Sequence, residues 1–163
     1  MLWTKIGSLR ESCFHEYNYS SGYWSIGVDD LSEDVFGGDQ CRRWLASLSQ
    51  SGSEAKVPEI ADYEIRRELL RMDKLKDIKR LDTLKETLGY IPLTTPAMLL
   101  AAQLWAQVRK QGKPTTHDKA LDGDVILAAQ ALVIKAEGHD VIVATTNVDH
   151  LSRLVDAKRW RDI

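Results

Sequence analysis

Leu121-Asp122-Gly123-Asp124-Val125-Ile126-Leu127-Ala128-Ala129-Gln130-Ala131-Leu132 sets two acids one residue apart at the head of an apolar, alanine-rich run. Apolar positions this dense read as a largely buried helix, from about Leu121 to Ala136. Glu137-Gly138-His139-Asp140 supplies the turn that follows. Val141 to Thr145 is then a strand apolar enough to be buried on both faces, as in a parallel sheet. It closes on Thr146-Asn147-Val148-Asp149. An acid at a helix start thus stands beside a buried strand whose carboxyl end carries more polar groups. Such oxygen donors suit a divalent metal ion.

Working back from this stretch, Thr94 or Thr95 caps a helix with Pro96 at its first position; it runs through Leu99, Leu100, Leu104, Trp105 and Val108 towards Gly112. Lys74–Leu88 is another helix, with Leu75, Ile78, Leu81, Leu84 and Leu88 at spacings of three and four. Glu59–Met72 is a third, in which Ile60, Tyr63, Ile65, Leu69 and Leu70 are expected on the buried side. Glu64 lies between Tyr63 and Ile65, and a carboxylate half-buried there needs a cation or a metal beside it. Ala55-Lys56-Val57-Pro58 reads as a short strand or its end, Tyr90-Ile91-Pro92-Leu93 as a short strand or connector, and Trp160 as the anchor of a last strand. Asp39 is a plausible cap for a helix over Gln40–Gln50. Helices alternating with short strands predict an α/β layer fold.

The chain has 163 residues, 44% hydrophobic and 28% charged, which is ordinary for a globular protein. No apolar run approaches the length of a membrane span, and Met1-Leu2-Trp3-Thr4-Lys5 does not open a signal peptide. A cytoplasmic location is expected. Cys13 and Cys41 make neither a disulfide framework nor a zinc site. The net charge of −2 gives no global attraction to nucleic acid, so any such contact rests on local basic patches. The densest begins with Arg66, Arg67, Arg71 and Lys74. It is either an ordinary solvated surface or a track for a phosphate backbone.

Three segments, Val57–Leu69, Leu121–Ala131 and Ala144–Leu151, resemble in order and spacing the motifs of PIN-domain proteins, and in particular the VapC-like nucleases, often the toxin half of toxin–antitoxin pairs. The resemblance covers roughly residues 38–163. It implies a three-layer α/β/α sandwich, Rossmann-like, with a parallel central sheet. It also implies Mg²⁺ or Mn²⁺ held by acids at the carboxyl edge of that sheet, RNA as substrate, an antitoxin as partner, and a homodimer. Carried over residue by residue, Glu64 matches the family's helix glutamate and Asp124 the aspartate that opens the alanine-rich helix, both catalytic and metal-binding. Asn147 and Asp149 match the polar metal-site positions after the last core strand. Asp122 is an outer supporting group or an alternative ligand. Arg66, Arg67, Arg71 and Lys74 would contact RNA.

The departure is at the front. The family begins with a strand of apolar-apolar-Asp-Thr/Ser-Asn type, and this chain has no such motif. Residues 1–36 hold most of the aromatic residues and show no long periodicity, and the composition changes at Gly37. The chain therefore divides into an atypical segment, 1–36, and a PIN-like domain, 37–163. Tyr23–Val28 is the strand-like piece in that segment, and Asp29 and Asp30 after it are the nearest substitutes for the family's first acid. A shifted reading frame or a misassigned start would account for the change. The empty position is in the middle of the sheet. Burying about 400 Å² of apolar strand there is worth about 10 kcal/mol, comparable to a domain's net stability, so something must fill it.

Three functions are consistent with these residues: a metal-dependent PIN-type ribonuclease, an impaired PIN remnant that binds RNA or a protein, and a phosphatase using Asp122-x-Asp124. The last requires its acid pair at a strand end, whereas this pair opens a helix.

Overall fold

The computed structural model describes residues 3–7, 39–111, 118–145 and 148–163. Its strands are β1 (Trp3–Gly7), β2 (Ser53–Pro58), β3 (Tyr90–Ile91), β4 (Asp140–Ala144) and β5 (Ala157–Lys158). They form one sheet in the order β3-β2-β1-β4-β5, and every neighbouring pair is parallel. Parallel neighbours need crossover connections, which the helices α1 (Asp39–Gln50), α2 (Glu59–Arg71), α3 (Leu75–Leu88), α4 (Thr95–Lys110), α5 (Asp118–Ala136) and α6 (Val148–Leu151) supply. In β4, Val141, Ile142, Val143 and Ala144 are all buried. Side chains alternate across a strand, so both faces of the sheet are covered, and the architecture is the three-layer α/β/α sandwich. No helix among the described residues is long and apolar enough to cross a membrane.

The central slot is filled by β1, which pairs with β2 on one side (Ile6 opposite Lys56) and with β4 on the other (Ile6 opposite Val143). Tyr23–Val28, the strand-like piece expected from the sequence, lies outside the described residues. Trp3-Thr4-Lys5-Ile6-Gly7 is short and carries a lysine, unlike the apolar runs of central parallel strands. From β1 the chain steps to β2 and β3 in one direction, and β4 and β5 lie on the other side. The winding reverses between β1 and β4. In open α/β sheets the crevice at the carboxyl ends of the strands flanking such a reversal is where ligands bind.

Two core clusters meet at α2. Ile60 joins Leu127, Ala128 and Ala131 of α5 and Val141 and Val143 of β4. Ile65 and Leu69 join Val57 of β2 and Leu81 of α3. The buried arc of α2 therefore centres on Ala61, Ile65 and Leu69 and takes in the acids Asp62 and Glu64. Tyr63 and Leu70, expected inside, are exposed at 57% and 55%: the arc is as wide as the sequence suggested but turned to bury carboxylates instead.

Several boundaries follow local chemistry. The Thr94 hydroxyl oxygen accepts the Ala97 N–H at 3.3 Å, with proline in the first turn of α4. Pro58 ends β2 and precedes α2. Gly89 stops α3 at φ 87°, a conformation glycine adopts without strain, and its carbonyl accepts the Val57 N–H. The last strand is Ala157–Lys158; Trp160 comes after it, in a 3₁₀ turn, correcting its assignment to that strand.

Gln130, inside the apolar run of α5, is 2% exposed. Its amide nitrogen donates to the Ile91 carbonyl at 2.9 Å, and its oxygen accepts the Ile60 N–H at 3.4 Å. That N–H is one of the four at a helix start that have no partner within the helix. One side chain thus ties α5 to the start of α2 and the end of β3. The Glu59 carboxylate reinforces the tie by accepting the Leu93 N–H.

Candidate functional site

Helix length sets the height of the site. Asp124 lies twelve residues before the end of α5, about 18 Å up the helix at 1.5 Å per residue. The five residues of β4 climb about 16 Å. Asp124 is therefore level with the carboxyl end of β4, where Thr145 is buried and its N–H donates to the Lys158 carbonyl at 2.8 Å. Helix α2 starts from the carboxyl end of β2, which brings Glu64 to the same edge.

Glu64 is brought against the residue that precedes Asp124. Glu64 shares the α5-facing flank of α2 with Ile60, one turn earlier, and is 9% exposed; Asp124 is 3% exposed. The Glu64 carboxylate lies against the backbone of Gly123. A β-carbon built on that glycine would stand 2.4 Å from Oε1, 3.1 Å from Cδ and 3.4 Å from Oε2. Asp124 is the next residue, but contrary to the sequence expectation it does not open its helix. Asp118 does, because α5 begins a turn earlier, in the polar stretch. The pull of a helix dipole on acids fades within the first turn, so it does not account for Asp124.

Neither of the other described candidates, Asp122 or Asp149, completes a three-residue acidic group with this pair. Asp122 is exposed, two residues and about 200° around the helix from Asp124. Asp149 is exposed on α6. Asn147, Asp29 and Asp30 lie outside the described residues. Among the described residues no group of three or more His, Cys, Asp or Glu side chains is close enough to hold a metal ion. β1, in the position of the family's acid-bearing first strand, contains no carboxylate.

The pair nevertheless has the chemistry of a small-ion site. A buried carboxylate near a second one is favoured by a cation or a proton beside it. Mg²⁺ is commonly held through one or two carboxylates while it keeps several waters. The donor set of Glu64 and Asp124 fits a hydrated divalent ion of that kind.

The basic residues separate into two groups. Arg66 is turned away from Glu64 and into the protein. Its guanidinium donates to Asp62 at 2.8 and 3.3 Å and also to Asp82. The bond to Asp62, above all, holds it protonated beyond the ordinary arginine range. Lys85 donates to the same Asp62 at 3.0 Å and lies over the Tyr90 ring, 4.3 Å from its centre. Tyr90 is pushed up to about 12, first by burial and then by the negative charge of Glu59. This network escaped the sequence reading, although Asp62 and Arg66 stand at the i, i+4 spacing of helical ion pairs. Arg67 and Arg71 are exposed, three and seven residues beyond Glu64 and so on its side of α2. Arg67 lies over the Tyr63 ring at 5.6 Å, and Arg71 meets Glu68 at 2.8 Å. Lys74 is half-buried in the turn before α3, where its carbonyl accepts the N–H groups of Asp77 and Ile78.

No protein-family model matches the sequence, and no curated protein is similar to it at the sequence level. Solved structures are similar in fold. One is VapBC-1 from nontypeable Haemophilus influenzae, with a TM-score of 0.60 and 13% identity over 99% of both chains. Another is VapBC2 from Rickettsia felis, bound to a DNA fragment from its promoter. It has a TM-score of 0.63 and 15% identity over 98% of this chain and 99% of that one. The fold of this chain is the VapC-like PIN fold.

Proposed function

We propose, from the VapC-like PIN fold and the Glu64–Asp124 pair, that this protein is a Mg²⁺- or Mn²⁺-dependent ribonuclease, the toxin of a toxin–antitoxin pair. The observation that carries the reading is the Glu64 carboxylate lodged against Gly123, next to Asp124, at the edge where the winding of the sheet reverses. Glu64 and Asp124 would hold the ion. Such an ion, when bound, makes a water easier to deprotonate and offsets charge on phosphoryl oxygens. The chain supplies the rest. Ile60, Val125 and Leu127, on the same two helices, are buried in the core. Arg67 and Arg71, exposed on α2, would meet phosphates of an RNA strand, whereas Arg66 is committed to Asp62 and Asp82.

An antitoxin and a second copy of the chain are proposed as protein partners. Exposed Met98, Leu99 and Trp105 on α4 give apolar surface for such contacts. A cytoplasmic setting goes with this reading.

The test is cleavage of RNA by the purified chain with Mn²⁺ or Mg²⁺, abolished by Asp124→Ala. No cleavage of any RNA by folded protein would overturn the nuclease reading. One observation favours a second reading, a PIN remnant that binds RNA or protein without cutting: β1 carries no acid. That reading expects weak metal affinity and RNA or partner binding unchanged by Glu64→Ala.

A further inference from the structure

Glycine is among the poorest helix formers, yet Gly123 stands inside α5, directly before Asp124. The backbone does not require it. Among the described residues the positive-φ glycines are Gly52, Gly89 and Gly138, and Gly123 is not one of them. What Gly123 supplies is room. An added β-carbon meets nothing within 4 Å at Gly52 or Gly138, and only the Lys56 side chain, from 3.8 Å, at Gly89. At Gly123 it would fall 2.4 Å from a carboxylate oxygen of Glu64, far inside contact distance.

We infer that Gly123 is the positioning residue of this site: its missing side chain is the slot in which the Glu64 carboxylate lies beside Asp124. The inference rests on the metal-site reading above and adds a residue to it that need not touch the ion. The colliding group is the end of a flexible side chain, not backbone. A methyl at position 123 therefore swings Glu64 out of the slot and leaves α5 helical. The expected result is a folded protein whose acid pair has been separated.

The test uses the full chain with Gly123→Ala, Glu64→Ala and the double variant. Mn²⁺ affinity, measured by titration calorimetry, is expected to fall at least tenfold in Gly123→Ala and in Glu64→Ala. The double variant should be no weaker than Glu64→Ala alone, because both changes remove the same carboxylate from the same place. Wild-type affinity in Gly123→Ala, or losses that add, would overturn the proposal. Thermal melts give a second readout that needs no ion. Gly123→Ala should raise Tm more in the Glu64→Ala background than in the presence of Glu64, and equal shifts overturn the proposal. If the unmodified chain takes up no Mn²⁺, the metal-site reading fails, and the melting comparison alone decides on Gly123.

Discussion

Asp62 and Arg66, one turn apart on α2, form a two-pronged ion pair in which both Nη2 and Nε of the arginine reach the carboxylate, at 2.8 and 3.3 Å. Asp62 is buried and also accepts from Lys85 of α3, so the pair fastens the two helices to each other. Removing the acid leaves half-buried Lys85 without this carboxylate and Arg66 with Asp82 alone. Asp62→Ala is expected to cost about 3 kcal/mol of stability, read as a lower urea midpoint with an unchanged slope. A loss below about 0.5 kcal/mol would mean that the pair behaves like an ordinary surface bridge.

The same network makes stability sensitive to alkali. The folded-state value for Tyr90 is raised from 10.0 to about 12. The stability linked to this group is therefore fully present below pH 10, and it is lost as pH rises through the interval to 12, where the unfolded chain releases the phenolic proton first. Urea unfolding at pH 9 and pH 11.5 should show a decline of about 1–2 kcal/mol attributable to Tyr90 after screening by solvent. The decline should be smaller in Tyr90→Phe. An identical pH profile for the two proteins would refute the link.

Gln130 is expected to matter more than its place in an apolar run suggests. Gln130→Leu keeps the bulk but strands the Ile60 N–H and the Ile91 carbonyl. The expected cost is about 2 kcal/mol, together with faster hydrogen exchange at the start of α2. Neutral behaviour in both measurements would show that the two backbone groups find other partners.

Arg66 and Arg67 are neighbours with opposite expectations. If α2 presents phosphate contacts, Arg67→Ala and Arg71→Ala should each lower the salt dependence of RNA binding by about one unit of slope and leave stability nearly unchanged. Arg66→Ala should do the reverse, lowering stability with little effect on the slope. Equal effects of all three changes on the slope would place Arg66 on the RNA surface too.

What the sequence made legible was local. The Leu121–Leu132 run, the twofold burial of Val141–Ala144 and the Thr94–Pro96 helix start follow from periodicity and capping chemistry, and the structure shows each. Glu64 stood out because a carboxylate between Tyr63 and Ile65 is out of place on an apolar stripe, and it is indeed buried. The features that escaped notice depend on partners far along the chain. Gly123 reads as a weak point in a helix until Glu64 is placed against it. Gln130 reads as a neutral residue until β3 and α2 converge on it. Arg66 reads as a free cation until α3 folds back with Asp82. Trp3–Gly7 carries no pattern of its own and becomes a strand only because two others flank it.

That flanking has a consequence for how the chain comes together. β1 pairs Ile6 with Lys56, 50 residues away, and with Val143, 137 residues away. Among the described residues the half-sheets β3-β2 and β4-β5 are hydrogen-bonded to each other only through β1. One edge of β1 thus stays open until β4, more than 130 residues further along, is available to pair with it. Loop closure over such separations slows folding, and an exposed strand edge during that wait is a template for pairing with other chains. The most distant contact in the sheet is therefore also the step at which a growing chain is most exposed to misassembly.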